Sequence, residues 1–262
     1  MSAKTRIIAV VNQKGGVGKT TTTINLAAAL TLLGKTVLMI DLDPQGNAST
    51  GLGVSRMSRD VSIYNVLVEG ASLDEASVDT VVDGLRLVPS DMDLSGAELE
   101  IAGMESRSRL LANALENDPN HYDYVLIDCP PSLSLLTVNA LSAASSVLVP
   151  LQCEFYALEG LSQLLQTVEM AKANINPNLI IEGVMLTMYD VRNRLSAQVA
   201  ADVRKHLGRA VFQTIIPRNV RIAEAPSFGK PVMMYAPNCA GSHAYMELGR
   251  EILRKHARRK KA

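Results

Sequence analysis

Three observations predict a doubly wound α/β fold, a mostly parallel sheet with helices on both faces, for this 262-residue chain. Short apolar runs alternate with longer stretches of helical period. The short runs are apolar almost throughout rather than at every second residue, as strands covered on both faces must be. The first of them opens into a glycine-rich loop that leads into a helix-like stretch, which is the context a phosphate-binding loop requires.

The strand candidates, in order, are Ile7–Val11, Val37–Ile40, Leu85–Val88, Tyr124–Ile127, Val147–Leu151, Ile180–Leu186 and Val211–Thr214. Helical spacing is carried by Leu26, Ala29, Leu30 and Leu33 within Asn25–Leu33, and by Leu161, Leu164, Leu165 and Val168 within Leu158–Ala173. Leu195, Val199, Val203 and Leu207 do the same within Leu195–Leu207. Gly46–Ser62, rich in Gly and Ser, reads as a loop near the site. No linker or internal repeat interrupts the pattern, so residues 1–262 read as one domain with a basic C-terminal tail over about 254–262.

Composition excludes several function classes. Hydrophobic residues make up 47% of the chain, enough for a large core, and with no Trp and three Phe that core is aliphatic. The formal net charge is zero, so no global field draws the chain to nucleic acid and any such binding must use local patches. Cys129, Cys153 and Cys239 lie far apart with no C-x-x-C, and the four histidines have no metal-ligand spacing; both fit a reduced, cytoplasmic protein. Met1-Ser2-Ala3-Lys4-Thr5 leads straight into a strand without a signal peptide, and no apolar run approaches the ~20 residues of a membrane span.

The loop is Asn12-Gln13-Lys14-Gly15-Gly16-Val17-Gly18-Lys19-Thr20-Thr21. Gly15, Gly16 and Gly18 let the backbone take positive φ and approach an anion closely. The N–H groups of Gly16 to Thr21 then form a nest at the positive end of a helix starting near Thr20. Lys19 would reach the β- and γ-phosphates, and the Thr20 hydroxyl would ligate Mg²⁺. The ordinary pattern G-x-x-x-x-G-K-[ST] wants glycine at position 13, where this chain has Gln13 followed by a second lysine, Lys14. A dinucleotide fingerprint does not fit, because Gly16-Val17-Gly18 lacks the third glycine and the Lys-Thr pair has no role there.

Two acidic strand ends suit a Mg-nucleotide site. Asp128 ends Val125-Leu126-Ile127, at the carboxyl edge where α/β ligands bind, and fits an aspartate that holds Mg²⁺ through water. Leu38-Met39-Ile40 ends in Asp41-Leu42-Asp43, and turn formation in Asp43-Pro44-Gln45-Gly46 is the plain alternative for one of these two acids.

Lys14-Gly15-Gly16-Val17-Gly18-Lys19-Thr20-Thr21-Thr22 is similar to the deviant Walker A box of the ParA/MinD ATPases. Asp41-Leu42-Asp43-Pro44-Gln45-Gly46-Asn47 resembles the box that follows it in ParA-type proteins, and Ile127-Asp128-Cys129-Pro130-Pro131-Ser132 resembles their Walker B. Gln152-Cys153-Glu154-Phe155-Tyr156-Ala157-Leu158-Glu159-Gly160, Ile216-Pro217-Arg218-Asn219-Val220-Arg221 and Glu224-Ala225-Pro226-Ser227 also match. The resemblance covers nearly the whole chain and is nearest to the short chromosomal partition ATPases of the Soj type.

This resemblance implies a P-loop NTPase that hydrolyses ATP to ADP and phosphate with Mg²⁺, slowly until a ParB-type partner stimulates it. It implies an ATP-dependent sandwich homodimer that grips double-stranded DNA without reading sequence, in a nucleoid-associated protein. Lys14 would cross the dimer interface to the other subunit's nucleotide. A second cation there is physically sensible, because charge spreads over the γ-oxygens as transfer proceeds. Asp43 would position or activate the attacking water, and Asp41 would support the Mg²⁺ held by Thr20 and Asp128. Lys14 to Thr21, including Val17, would cradle the nucleotide. Pro217 and Asn219 fall where the family contacts adenine, with a helix cap at Asn219 as the alternative.

Arg192 and Arg194 precede Leu195–Leu207, where cations oppose the helix dipole; an anion docked there, such as a DNA phosphate, would explain them. The resemblance implies DNA binding at Arg192 and Arg221, with Arg194, Arg218 and Lys230 as weaker candidates. A MinD-like positioning ATPase, acting on a membrane or protein scaffold, is the alternative. A membrane-targeting helix needs bulky apolar residues on one face, and after Leu253 the tail offers only Ala257 and Ala262, so no membrane partner is expected. The tail suits either phosphate attraction or plain solubility. No cysteine pair suits an iron–sulfur cluster. The loop begins almost at residue 12, so an operator-reading domain ahead of it is not expected.

Overall fold

The architecture comes from a computed structural model that describes residues 5–155 and 157–259. Met1 to Lys4, part of the expected N-terminal entry, and Lys260 to Ala262 of the basic tail lie outside the described residues. The chain opens with β1 (Arg6–Val10), α1 (Lys19–Leu32), β2 (Val37–Asp41) and α2 (Asn47–Gly51). It continues with α3 (Leu73–Ala76), β3 (Val78–Asp79), β4 (Leu85–Val88), α4 (Leu94–Ala102), α5 (Leu110–Glu116) and β5 (Tyr124–Asp128). There follow α6 (Leu135–Ala143), β6 (Ser146–Gln152), α7 (Ala157–Asn174), β7 (Ile180–Tyr189), α8 (Arg194–Leu207) and β8 (Val211–Pro217). Short α9 (Val220–Glu224) and α10 (Val232–Tyr235) lead to the long α11 (Ala240–Arg259).

Among the described residues eight strands form one sheet in the order β3-β4-β2-β5-β1-β6-β7-β8, in which β3 alone is antiparallel to its neighbour. Every apolar run expected as a strand is one, and several extend to include a candidate site residue at their carboxyl end. The two-residue β3 is too short to leave a pattern in the sequence. Strand alternation sends side chains to two separate cores. Ala9, Ile40, Val125 and Ile127 join the core covered by α4 to α8. Ile8, Val10, Met39 and Leu126 join the one covered by α1, α10 and α11. Neither face meets water, so the alternation that marks a half-exposed strand is missing. Truncating a fully buried member such as Leu126 to Ala would cost about 2–5 kcal/mol.

The winding reverses at β1, whose neighbours are β5 and β6. This puts the carboxyl ends of β1, β5 and β2 side by side, with Val10 opposite Asp128 and Asp41 opposite Asp128. Ligands of open α/β sheets bind at such a reversal. Helix α1, running from this point, is buried on almost every side, between the sheet and α11. It stops at Gly34, whose φ of 81° supplies the left-handed residue a helix terminus commonly uses. Gly46–Ser62 is not a simple loop: α2 and a 3₁₀ turn at Arg56–Ser58 lie within it. Gly and Ser there serve tight local turns, which composition alone does not separate from irregular chain.

Candidate functional site

The glycine-rich loop joins β1 to α1 and is tied down from three directions. Asn12 Nδ2 donates to the Pro150 carbonyl at 2.7 Å while its Oδ1 accepts from the Lys14 N–H at 3.0 Å. Gln13 Nε2 donates to Thr167 Oγ1 of α7 at 3.2 Å, so the residue that replaces the ordinary glycine is a tether. The Thr187 hydroxyl of β7 donates to the Val17 carbonyl at 2.9 Å.

Gly16 and Gly18 have φ of 75° and 91°, the left-handed region that glycine adopts at little cost. Gly15, expected to share that conformation, does not. It is exposed instead, and a Cβ built on it would meet nothing within 4 Å. Helix α1 begins at Lys19, one residue ahead of the expected start, and Gly18 gives it no side-chain cap. Its first N–H groups therefore face the loop with the dipole behind them, which is an anion site.

The two lysines differ in environment. Lys19 is buried, and its Nζ donates back to the Lys14 carbonyl at 3.2 Å. Burial pushes its pKa below the ordinary value, against the opposing charges of Asp128 and Asp43. The Lys14 side chain is 49% exposed and forms an ion pair with Glu154, just beyond β6.

Asp41 and Asp128 are fully buried register partners. Asp41 Oδ2 accepts from the Ser49 N–H at 2.8 Å and its hydroxyl at 2.7 Å. Asp128 Oδ1 accepts from the Thr23 hydroxyl at 3.1 Å, and Asp128 Oδ2 is buried with no partner, with Thr20 close enough to favour the charged carboxylate. Burial first, and then the charge of its neighbour, pushes the Asp128 carboxyl well above the usual range; burial does the same to Asp41. Two adjacent buried carboxylates, one with an unused oxygen beside a threonine hydroxyl, fit a hard divalent cation, which takes oxygen donors and would reverse both shifts.

Asp43 is half-buried and takes up the turn duty weighed for it, its Oδ1 accepting from Gln45 N–H at 3.0 Å and its carbonyl from Gly46 N–H at 2.9 Å. Its second carboxylate oxygen is left for other work.

The remaining candidates share the carboxyl edge of the sheet but stand farther from the loop. Pro217 ends β8, three strands from β1. Asn219 caps α9, its Oδ1 accepting from Arg221 N–H at 2.8 Å, as the alternative for it anticipated. Arg192 lies before the capping residue Asn193 of α8, and the anion that answers it is Asp190 of its own loop, at 2.9 Å. Arg221 likewise pairs with Glu224 at 2.8 Å. Both arginines are well exposed, and these pairs leave much of each guanidinium open.

The basic tail is partly built into the fold. Lys255, His256 and Arg259 of α11 converge on Glu182 of β7, which is 1% exposed. Among the described residues no helix is long and apolar enough to cross a membrane. Ser49, Thr23 and Glu182 belong to no motif of the sequence, and Glu154 enters only as a member of the matched run Gln152 to Gly160, with no role of its own. Ser49 lies in the Gly- and Ser-rich segment Gly46–Ser62, and Glu182 is a single charge in the apolar run Ile180–Leu186 with no local sign of its partners on α11.

A family model described as an AAA domain matches residues 5–181. The chain is 57% identical over 252 residues to the chromosome partitioning protein ParA of Caulobacter vibrioides, covering 95% of this chain and 94% of that one. It is 50% identical over 247 residues to the sporulation initiation inhibitor protein Soj of Bacillus subtilis, covering 94% and 98% respectively. Its structure matches that of cobyrinic acid a,c-diamide synthase from Mycobacterium smegmatis with bound ADP and magnesium, with a TM-score of 0.84 at 39% identity over 96% of this chain and 95% of that one. With the phosphate loop and the paired strand-end acids in place, these likenesses show that the chain belongs to the ParA/Soj family of chromosome-partitioning ATPases.

Proposed function

We propose that the chain hydrolyses ATP as a Mg²⁺-dependent switch for DNA partition, active as a sandwich dimer that binds DNA without sequence preference. The observation that carries the nucleotide site is the unpartnered Asp128 Oδ2, buried next to Thr20 at the foot of an uncapped helix. The loop N–H groups from Gly16 to Thr21 and the Lys19 ammonium bind the phosphates, with Lys14, Gly15 and Val17 completing the cradle. Thr20 and Asp128 would hold the metal, and Asp41, fixed by Ser49, would support them. When bound, Mg²⁺ neutralises charge on the phosphate oxygens. Asp43 orients the attacking water with the carboxylate oxygen its turn does not use. Pro217 and Asn219 border the base.

The exposure of Lys14, against the burial of Lys19, supports the dimer reading. A lysine meant for its own nucleotide belongs inside the loop, whereas Lys14 stands at the surface on an acidic partner that another subunit's phosphates can replace. Closure of two subunits then brings Arg192 and Arg221 of each into one DNA-facing surface. A ParB-type partner stimulates hydrolysis, and the ADP-bound monomers release DNA. The higher-identity relatives with partition names, at 57% and 50%, weigh against carrying over the diamide synthase name at 39%.

The test is a DNA mobility assay beside co-sedimentation with liposomes, each with ATP and with ADP. ATP-dependent DNA shift without liposome binding is expected. Liposome binding without a DNA shift would transfer the chain to the membrane-positioning class.

A further inference from the structure

We infer that Arg59 is a positioning residue for hydrolysis, fixing the turn that carries Asp43 and the strand end that carries Asp41; the inference rests on reading this site as an ATPase centre. Arg59 is 7% exposed, and its Nη1 donates to the Ser90 carbonyl at 2.7 Å. Its Nη2 donates to Thr50 Oγ1 at 2.8 Å and to the Val54 carbonyl at 2.9 Å. A buried guanidinium that meets only neutral acceptors is costly to desolvate. The placement of those acceptors gives the reason for keeping it.

Ser90, just beyond β4, is gripped at its carbonyl by Arg59, while its N–H donates to Ser49 Oγ at 3.1 Å. Ser49 in turn donates both its N–H and its hydroxyl to Asp41. On the other side, the Thr50 hydroxyl that accepts from Arg59 donates to the Gly46 carbonyl at 3.1 Å. Gly46 closes the Asp43 turn with φ of 62°, and the guanidinium lies directly against it. A Cβ at position 46 would stand 2.3 Å from Arg59 Nη1 and 2.9 Å from the Ser90 carbonyl. One planar group thus braces Gly46, Thr50 and Ser90, and through them both acids. A lysine could keep the charge but not this fork.

The experiment measures nucleotide affinity with a fluorescent ATP analogue and turnover by phosphate release, for wild type, Arg59→Ala, Arg59→Lys, Thr50→Val and Gly46→Ala. Arg59→Ala should lower kcat roughly ten- to hundredfold, as ångström-scale misplacement of a reacting group does, with nucleotide Kd changed less than about twofold. Gly46→Ala should show the same split, Thr50→Val a smaller loss of kcat, and Arg59→Lys partial recovery. Thr50 is exposed, so Thr50→Val keeps the test open even where Arg59→Ala does not fold. Unchanged kcat in Thr50→Val and Gly46→Ala, or kcat and affinity falling in step, would overturn the assignment. A wild-type chain that releases no phosphate sinks the ATPase reading itself, whereas a wild type that turns over beside equally fast variants removes Arg59 alone.

Discussion

Lys14 and Glu154 form an ion pair within one chain, joining the phosphate loop to the end of β6. The pair occupies the lysine that the dimer reading sends to a second subunit. Glu154→Gln should therefore ease closure. Both side chains are about half exposed, so each pair is worth ~1 kcal/mol or less, and because closure breaks one pair in each subunit the ATP-dependent dimerisation constant should improve by no more than roughly thirtyfold. Light scattering against protein concentration measures this, and an unaltered midpoint would remove the ion pair from the switch.

Gly15 offers a cleaner probe of the same interface. Nothing within its own chain stands near a Cβ at that position, and its φ is not positive. Gly15→Val should leave monomer stability and ATP-analogue affinity near wild type, yet block dimer formation by light scattering. A stable ATP-dependent dimer in this variant would place the contact surface elsewhere.

These two residues show what could be read in advance. Strand-end positions such as Asp41 and Asp128 are legible because a buried parallel strand is an unbroken apolar run, and a carboxylate at its end has little packing reason to be there. Lys14 is legible because it breaks a compact local motif. Glu154, Ser49 and Arg59 are not, because each acts across the fold on a partner between eight and 140 residues away, and pairing at that range has no local pattern. The positive φ expected of Gly15 failed for a related reason. Glycine lifts two restrictions, on φ and on space, and only the folded backbone distinguishes which of them a position uses.

Asp43→Ala removes a side chain that holds one turn N–H and leaves the backbone bond to Gly46 in place. The loop should persist and ATP should still bind, while phosphate release falls by at least about a hundredfold, as for loss of a group that positions the nucleophile. DNA retention with ATP should lengthen accordingly in a filter or surface-based dissociation assay. Ordinary turnover would take Asp43 out of the chemistry.

Arg192 and Arg221 each hold a nearby acid, Asp190 of the same loop and Glu224 one turn along α9. If both face DNA, Arg192→Glu with Arg221→Glu should abolish the ATP-dependent shift and spare dimerisation. Replacing either one singly by Ala should flatten the salt dependence of binding by roughly 0.9 log units for each phosphate no longer neutralised. Asp190→Ala should act in the opposite direction, strengthening binding by freeing the guanidinium. A salt slope unmoved by either alanine variant would show that neither arginine meets a phosphate.

The Glu182 cluster predicts how the fold responds to acid. Burial alone would raise this carboxyl, but hydrogen bonding and charge from His256, followed by Arg259 and Lys255, bring it down to about 2 from an ordinary 4.5. Tyr124 completes the arrangement, its hydroxyl 2.8 Å from His256 Nδ1. A carboxyl depressed in the folded state contributes stability that is full above the unfolded value and lost as pH falls through the folded one. The loss should therefore fall between about pH 4.5 and 2 and amount to about 3 kcal/mol. Glu182→Gln should abolish this part of the acid response. It should also lower stability at pH 7, because Lys255 and Arg259 would lose their shared anion and the end of α11 its anchor on β7. Urea unfolding of both proteins across about pH 2–7, the range that spans both values, measures the difference, and parallel stability curves would mean that the cluster does not hold the terminal helix.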